Sequence, residues 1–407
     1  MRTHSKIIAC FSILTCFPAF AQTSQPDPVV DGLSQSLGIS RDEAKRRLDL
    51  LSEANQIAKR MEADIGIRYG GLKVENAADF KVEFFVTGNP DKVLAAYTTR
   101  PEFVATRVTR SYQSLVAKFN QLERALKAGN RKFLIAVNPA DNIVEITHLP
   151  DDESRKILQA TRALDDSVRI IESDEPFVQT ATCYGGSQLS SSTEYGTSGF
   201  VVTDNLQTRR GIITAAHVGE CRAGKDCSGN TVTPTGCTVN SSVRDDASGV
   251  SFTWVRQVID ADNDVEFRVP VGTHTLSNQI KYGSSGTVMS VTAKYNPRDY
   301  AAGTFNFCKQ GRKSGYTCGY FDSNSVAFSG NGITQYFVRG RASATNTAIV
   351  AAGDSGGPVF TNGGAVGTTI GAGGTKLGTC PNNTYTYIYV QPISDLTALN
   401  VSVLLTP

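Results

Sequence analysis

A serine hydroxyl is a poor nucleophile at neutral pH, so a serine that does covalent chemistry needs a neighbouring base and a tight backbone frame. Two stretches of the sequence carry residue types suited to this. In Gly353-Asp354-Ser355-Gly356-Gly357-Pro358 a serine is flanked by glycines, which let the chain fold sharply and let a substrate main chain approach closely. Such a frame also leaves backbone N–H groups to face a developing negative charge. Alone, a short Gly/Ser run is as often an ordinary turn. Far upstream, however, Thr214-Ala215-Ala216-His217 follows the apolar run Gly211-Ile212-Ile213, which reads as a strand delivering a histidine to a loop. A serine–histidine pair needs a carboxylate that fixes the imidazole tautomer and stabilises the imidazolium formed during proton transfer. Asp262-Asn263-Asp264-Val265-Glu266-Phe267 lies between the two in sequence. Asp264 opens the run Val265 to Val269, a candidate strand, and so sits at a loop–strand edge. Asp260, Asp262 and Glu266 compete with it, and position alone does not choose.

The elements that must position these groups fall into two parts. The chain has 407 residues and a net charge of +2, enough length for two or three domains and no footprint for nucleic acid or other polyanions. Residues before 177 are roughly 27% charged and those after only about 13%, while Gly, Ser and Thr rise. The first part reads as mixed α and β. Ser40 followed by Glu43 is a capping box, and Ala44, Leu48, Leu51, Ala58, Met61 and Ile65 then form one face of a helix ending near Gly66. A second helix carries Leu115, Phe119, Leu122 and Leu126 on one face and stops near Gly129. Lys81 to Val86 reads as a strand, and Phe133 to Val137 with Ile143 to Ile146 as a hairpin. His148 is expected to be a surface or hairpin residue without chemistry. Asp151-Asp152-Glu153 and the acids from Glu172 to Glu175 read as solvated boundary segments. The second part consists of short β-branched runs punctuated by glycine, such as Gly199 to Val202, Val250 to Val255, Thr287 to Val291 and Tyr385 to Val390. Only Ile393 to Leu399 suggests a short helix there. Many short strands with turn signals imply barrels or a sandwich.

Arg2 and Lys6, the apolar run Ile7 to Phe17 and Ala19-Phe20-Ala21 form a signal-peptide pattern too short to span a bilayer, predicting a secreted protein that starts at Gln22. The cysteines left after its removal, Cys183, Cys221, Cys227, Cys237, Cys308, Cys318 and Cys380, all lie in the second part. In an exported protein that argues for disulfides; the spacings lack close ligand pairs and no histidine cluster accompanies them, so no metal is expected. Seven is odd, so one sulfur has no partner within the chain.

The order His217, Asp264, Ser355, with Thr-Ala-Ala-His and Gly-Asp-Ser-Gly-Gly-Pro, resembles the chymotrypsin-fold serine proteases, and in particular the exported bacterial alpha-lytic protease and streptogrisin group. The resemblance extends to Cys308-Lys-Gln-Gly-Arg-Lys-Ser-Gly-Tyr-Thr-Cys318-Gly, which looks like that group's disulfide hairpin, and to the closing Val390-Gln391-Pro392-Ile393. It implies an all-β catalytic domain of two antiparallel six-stranded-type barrels over residues 177–407. A signal peptide (1–21) and an α+β pro-region (22–176), a folding partner that is then removed, would precede it. Carried across residue by residue, Ser355 is the nucleophile and His217 the base and then acid. Asn263-Asp264 matches the group's Asn-Asp pair, and the N–H groups of Gly353 and Ser355 form the oxyanion hole. Ile370, Gly371 and Ala372 match the edge that pairs with substrate backbone. The implied activity is peptide-bond hydrolysis through an acyl-enzyme, without cofactor, by a monomer acting on polypeptides and binding neither nucleic acid nor membrane.

Departures from the group's pattern concern bonding more than chemistry. No cysteine precedes the Gly-Asp-Ser motif within Thr345 to Ala352, which leaves Cys380 as the candidate for the odd sulfur. His217 is followed by Val218 and not by cysteine, so Cys221 is expected to take over that bond, with Cys183, Cys227 or Cys237 as partner. Where the group has an arginine that pairs with the aspartate beside the nucleophile, this chain has Lys309, which keeps an ion pair to Asp354 but loses the bidentate fork. Six residues before the nucleophile, where proteases that prefer basic side chains carry an aspartate, stands Ile349, so an uncharged pocket for apolar or small residues is expected. His274 could serve a glutamate pocket but reads better as a loop residue. Self-cleavage of the junction between Ser173 and Tyr184 would suit Thr180-Ala181. Two other readings are a catalytically silent protease-fold binding protein and a serine esterase. The esterase would need the order serine, acid, histidine, which this chain does not have.

Overall fold

In the computed structural model the described residues are 27–126, 133–173 except 162, 178–179, 188–190 and 195–405, the last span omitting 220–223, 226–230, 233–241, 246–248, 261, 275, 284–285, 331–332, 345–346 and 379–382. The signal-peptide pattern, the Thr180-Ala181 bond, and Cys183, Cys221, Cys227, Cys237 and Cys380 lie outside them.

The N-terminal part begins with helix α1, Pro28–Leu37. Asp27 caps it, its Oδ1 accepting from the N–H groups of Val29 and Val30, and Gly38 ends it at φ 65°, a left-handed conformation that costs glycine little. Sequence reasoning missed this helix. Helix α2, Arg41–Ile65, starts where the capping box predicts, with Ser40 Oγ accepting from Glu43 N at 3.1 Å. Ala44, Leu51, Ala58 and Met61 of the expected face are buried. They pack on a three-stranded sheet of β1 (Tyr69–Glu75), β2 (Lys81–Val86) and β3 (Phe103–Arg107), the short helix α3 (Pro90–Leu94) joining the last two. Helix α4, Tyr112–Leu126, buries Leu115, Phe119, Leu122 and Leu126 as its spacing requires.

The hairpin of β4 (Phe133–Asn138) and β5 (Ile143–His148) forms as expected, and a parallel strand, β6 (Val168–Glu172), joins its free edge. Between β5 and β6 runs helix α5, Asp152–Ala160, capped by Asp151 through Ser154 N at 2.8 Å. Asp151-Asp152-Glu153 is therefore a helix start and not a solvated boundary; three acids in sequence suit the positive end of a helix dipole. His148 is a hairpin residue but a buried one, stacked near Phe133, with its Nδ1 facing Leu149 O.

The rest of the chain is almost all strand. β7 (Val178–Gln179) precedes β8 (Gln188–Ser190), β9 (Tyr195–Thr197), β10 (Val201–Asp204), β11 (Arg210–Thr214), β12 (Gly224–Lys225), β13 (Thr231–Val232), β14 (Val243–Asp245), β15 (Ser251–Ile259) and β16 (Asp264–Pro270). The pair β17 (Gln279–Tyr282) and β18 (Thr287–Ser290) leads to β19 (Ala293–Lys294), β20 (Asn306–Gly311), β21 (Gly315–Gly330) and β22 (Ile333–Ala342). The last strands are β23 (Val350–Ala351), β24 (Pro358–Thr361), β25 (Gly364–Leu377), β26 (Thr384–Pro392) and β27 (Val401–Val403).

Two sheets organise them. The first has the order β27-β10-β11-β16-β15-β14-β8-β9, eight short strands and not six. The second runs β20-β24-β25-β26-β22-β21 and closes through an additional β20–β21 pairing, a six-stranded barrel. Its interior is filled by Phe307, Phe321, Val338, Val359, Ile388 and their neighbours. The turn Ile393–Leu399, helical as expected, leads from β26 to β27 and so ties the barrel to the first sheet. The N-terminal part is continuous with the barrel: β4 pairs antiparallel with β21 from Ser329↔Phe133 to Val326↔Ala136, which adds β4, β5 and β6 to the same sheet.

Candidate active site

β11 buries Ile212 and Ile213 and ends at Thr214; the single helical turn Ala216–Gly219 then presents His217, so apolar burial fixes where the imidazole emerges. β16 begins at Asp264 beside β11, with Thr214↔Glu266 in register. Ser355 comes from the other sheet, on the turn between β23 and β24. Gly353 (φ 108°) and Gly356 (φ 83°) reverse the chain on either side of it. At Gly356 a Cβ would lie 2.1 Å from Thr214 Oγ1 and 2.2 Å from Thr197 O, so the serine turn can seat against the histidine strand only with glycine there.

Three side chains meet at this seam. His217 Nε2 is 3.0 Å from Ser355 Oγ, and His217 Nδ1 is 2.6 Å from Asp264 Oδ2. The His217 backbone N–H donates to Asp264 Oδ1 at 3.0 Å, so the carboxylate holds both the ring and its backbone. With the Nδ1 proton on the carboxylate side, the Nε2 lone pair faces the hydroxyl, the tautomer a general base requires. The competing acids are occupied elsewhere. Asp260 accepts from Asp262 N and Asn263 Nδ2, Asp262 is exposed, and Glu266 forms a fully buried ion pair with Arg268 at 2.6 Å.

The residue beside the nucleophile is held from below. Lys309 Nζ lies 2.7 Å from Asp354 Oδ2, both side chains fully buried, which realises the ion pair anticipated for a lysine. Asp354 also accepts from the N–H groups of Lys313, Ser314 and Ala351 and from the Ser314 hydroxyl. Burial opposes ionisation of Asp354, but Lys309, Ser314 and the Ala351 amide together hold its carboxyl below the ordinary range. Lys309 is pushed down by burial, against the pull of Asp354. Cys308 and Cys318 are bonded across β20 and β21, the disulfide hairpin that the resemblance implies. Ser314 carried no signal in the sequence, because its role depends on a turn brought to Asp354 from another strand pair.

The expected substrate edge is a strand edge here. Gly371 and Ala372 of β25 pair on one side with Tyr389 and Ile388 of β26, and on the other with Gln179 and Val178 of β7. Ile370 is buried in the cluster that includes Tyr389, Phe337 and Ala215. Ile349 is fully buried and clusters with Ala372, Tyr385 and Ile388, an apolar and filled surround. His274 lies exposed on the loop after β16, away from this group. Among the described residues no cluster of three or more His, Cys, Asp or Glu is arranged to hold a metal ion.

A closed six-stranded barrel, a second antiparallel sheet and a Ser–His–Asp constellation at their seam define the chymotrypsin-type serine protease fold. No family model and no curated protein matches the sequence. Among solved structures the chain is similar to a Nocardiopsis protease (20% identity, 55% of this chain and 99% of that one, TM-score 0.40) and to Thermobifida fusca protease A (21%, 56% and 100%, TM-score 0.39). It is also similar to a glutamic acid-specific serine protease described as using a histidine triad in substrate binding (18%, 54% and 99%, TM-score 0.40).

Proposed function

We propose that this chain is the precursor of an exported serine endopeptidase. The observation that carries the reading is the seam geometry, His217 Nε2 at 3.0 Å from Ser355 Oγ with Asp264 on the opposite ring nitrogen. In the proposed cycle His217 removes the Ser355 proton as the oxygen attacks the scissile carbonyl. The N–H groups of Gly353 and Ser355 receive the oxyanion, and Asp264 stabilises the imidazolium. His217 then protonates the leaving amine, and water hydrolyses the acyl-enzyme by the same route reversed. The filled, apolar surround of Ile349 and Ala372 favours a small uncharged side chain on the acyl side.

Residues 22–176 would be a removable pro-region and 177–407 the catalytic domain. Three features support this division. β4 extends the catalytic barrel's sheet edge, β7 lies along Gly371 and Ala372 as a substrate strand would, and Ser355 is fully buried in the uncleaved chain. With Gln179 opposite Gly371 and Val178 opposite Ala372, the chain running on from β7 brings the Thr180-Ala181 bond next.

The test is labelling of the secreted product by a fluorophosphonate, together with cleavage of a diverse peptide library. Labelling and turnover are expected for the parent and absent for Ser355→Ala. A folded parent that neither reacts nor cleaves would instead be a silent, binding protease fold.

A further inference from the structure

The carboxylate in the proposed triad stands on the first residue of a strand, where nothing in its own sheet fixes the turn that leads into it. That turn closes on itself through Asp260 N donating to Asn263 O at 3.0 Å, and it is then gripped from the other barrel. Gln391, on β26, is 1% exposed and reaches across the seam. Its Oε1 accepts from Asp264 N at 3.2 Å, and its Nε2 donates to Asp262 O and, at 2.7 Å, to Asp395 Oδ2. Asp395 is in turn held by Arg298 Nη1, 3.0 Å from both carboxylate oxygens, and Arg298 Nη2 donates to Tyr336 O. Gln335 of β22 adds a second grip, its Nε2 donating to Asn263 O at 3.3 Å.

An amide side chain is suited to this place. It offers one acceptor and two donors on a single plane, and here all three are used. A carboxylate of the same length could accept from Asp264 N but would face Asp262 O and the Asp395 carboxylate without a hydrogen to give. A thioether would fill the volume and make none of the three bonds.

We infer that Gln391 is a positioning residue of the proposed active site: it fixes the backbone of Asp264 from the second barrel and so sets where the carboxylate meets His217 Nδ1. The inference rests on the Ser355–His217–Asp264 reading above. It makes the alignment of Asp264 depend on how the two barrels are seated, because one partner of the bond belongs to each.

The test is Gln391→Met in the secreted, processed protein, with rates on a peptide spanning residues 174–182 normalised to sites titrated by a fluorophosphonate. The expected result is a kcat lower by on the order of tenfold to a hundredfold, KM within about twofold, and an acid limb of kcat/KM displaced to lower pH as the His217–Asp264 bond loosens. A residue that served folding alone would reduce the yield of titratable sites while leaving kcat per site and the acid limb where they were. If Gln391→Met does not accumulate as folded protein, Gln391→Glu, which keeps length and volume but lacks both Nε2 donors, is read in the same way. An active parent whose variant keeps kcat per site and its acid limb overturns the positioning role alone. A parent that neither labels nor cleaves overturns the triad reading and this inference together.

Discussion

Buried charge decides more at the residue scale than the triad does. Lys309 and Asp354 are both fully buried, and desolvating two charges is offset only while each has the other. Lys309→Met is therefore expected to cost about 3–5 kcal/mol, because it strands the Asp354 carboxylate. The urea midpoint of the uncleaved Ser355→Ala chain, with and without the change, measures it. Adding Asp354→Asn should recover part of the loss. Acid acts on the same residues. Glu43 is held at about 2 by hydrogen bonds from Arg46 and Arg47, and Asp165 at about 2 by Lys118 and Ser167. Asp204, despite burial that opposes its charge, is held at about 2 by Arg209 and Thr208, and Asp354 is also lowered. Lowered carboxyl values mean that the unfolded chain binds more protons than the folded one in that range. Stability should thus be fully present above the ordinary carboxylate values near 4 and fall as pH drops toward about 2. Thermal midpoints that do not change between pH 5 and pH 2.5 would contradict this.

Elements were legible in proportion to how far they obey a local rule. The capping box of α2, the four-residue rhythm of α4, the alternation of β2 and the β4–β5 hairpin each follow from nearest neighbours, and each forms where expected. Helix α1 was not legible because it is short and its burial comes from distant strands. Val29 packs with Phe360, Cys308 and Cys318, and Pro28 O accepts from the Tyr316 hydroxyl. A Cβ on Gly32 would stand 2.0 Å from Cys318 Sγ, so Gly32→Val should lift α1 off the disulfide hairpin. Faster amide exchange over residues 28–37, with α2 to α4 unchanged, is the expected reading. Ser40→Ala, by contrast, removes a cap at an exposed helix start and should cost about 1 kcal/mol, seen as a small downward shift of the thermal midpoint.

At the scale of the whole molecule, the chain lays its own junction along the edge that the proposed enzyme would use for substrate. The parent should therefore convert to a product beginning at Ala181, at a rate independent of protein concentration, while Ser355→Ala stays full length. N-terminal sequencing and a dilution series check both, and a start outside the window from Ser173 to Tyr184 would count against the self-cleavage. The sequence by itself determined the two-part division, the all-strand character of the second part and the serine and histidine candidates, since these depend on composition and on short motifs. Only the tertiary structure singled out Asp264 from three nearby acids, brought Ser314 to Asp354 and Gln391 to Asp264, and laid β7 and β4 on barrel edges. Each of those contacts joins residues far apart in the chain, and no local preference of either partner encodes such a contact before the two sheets have folded and met.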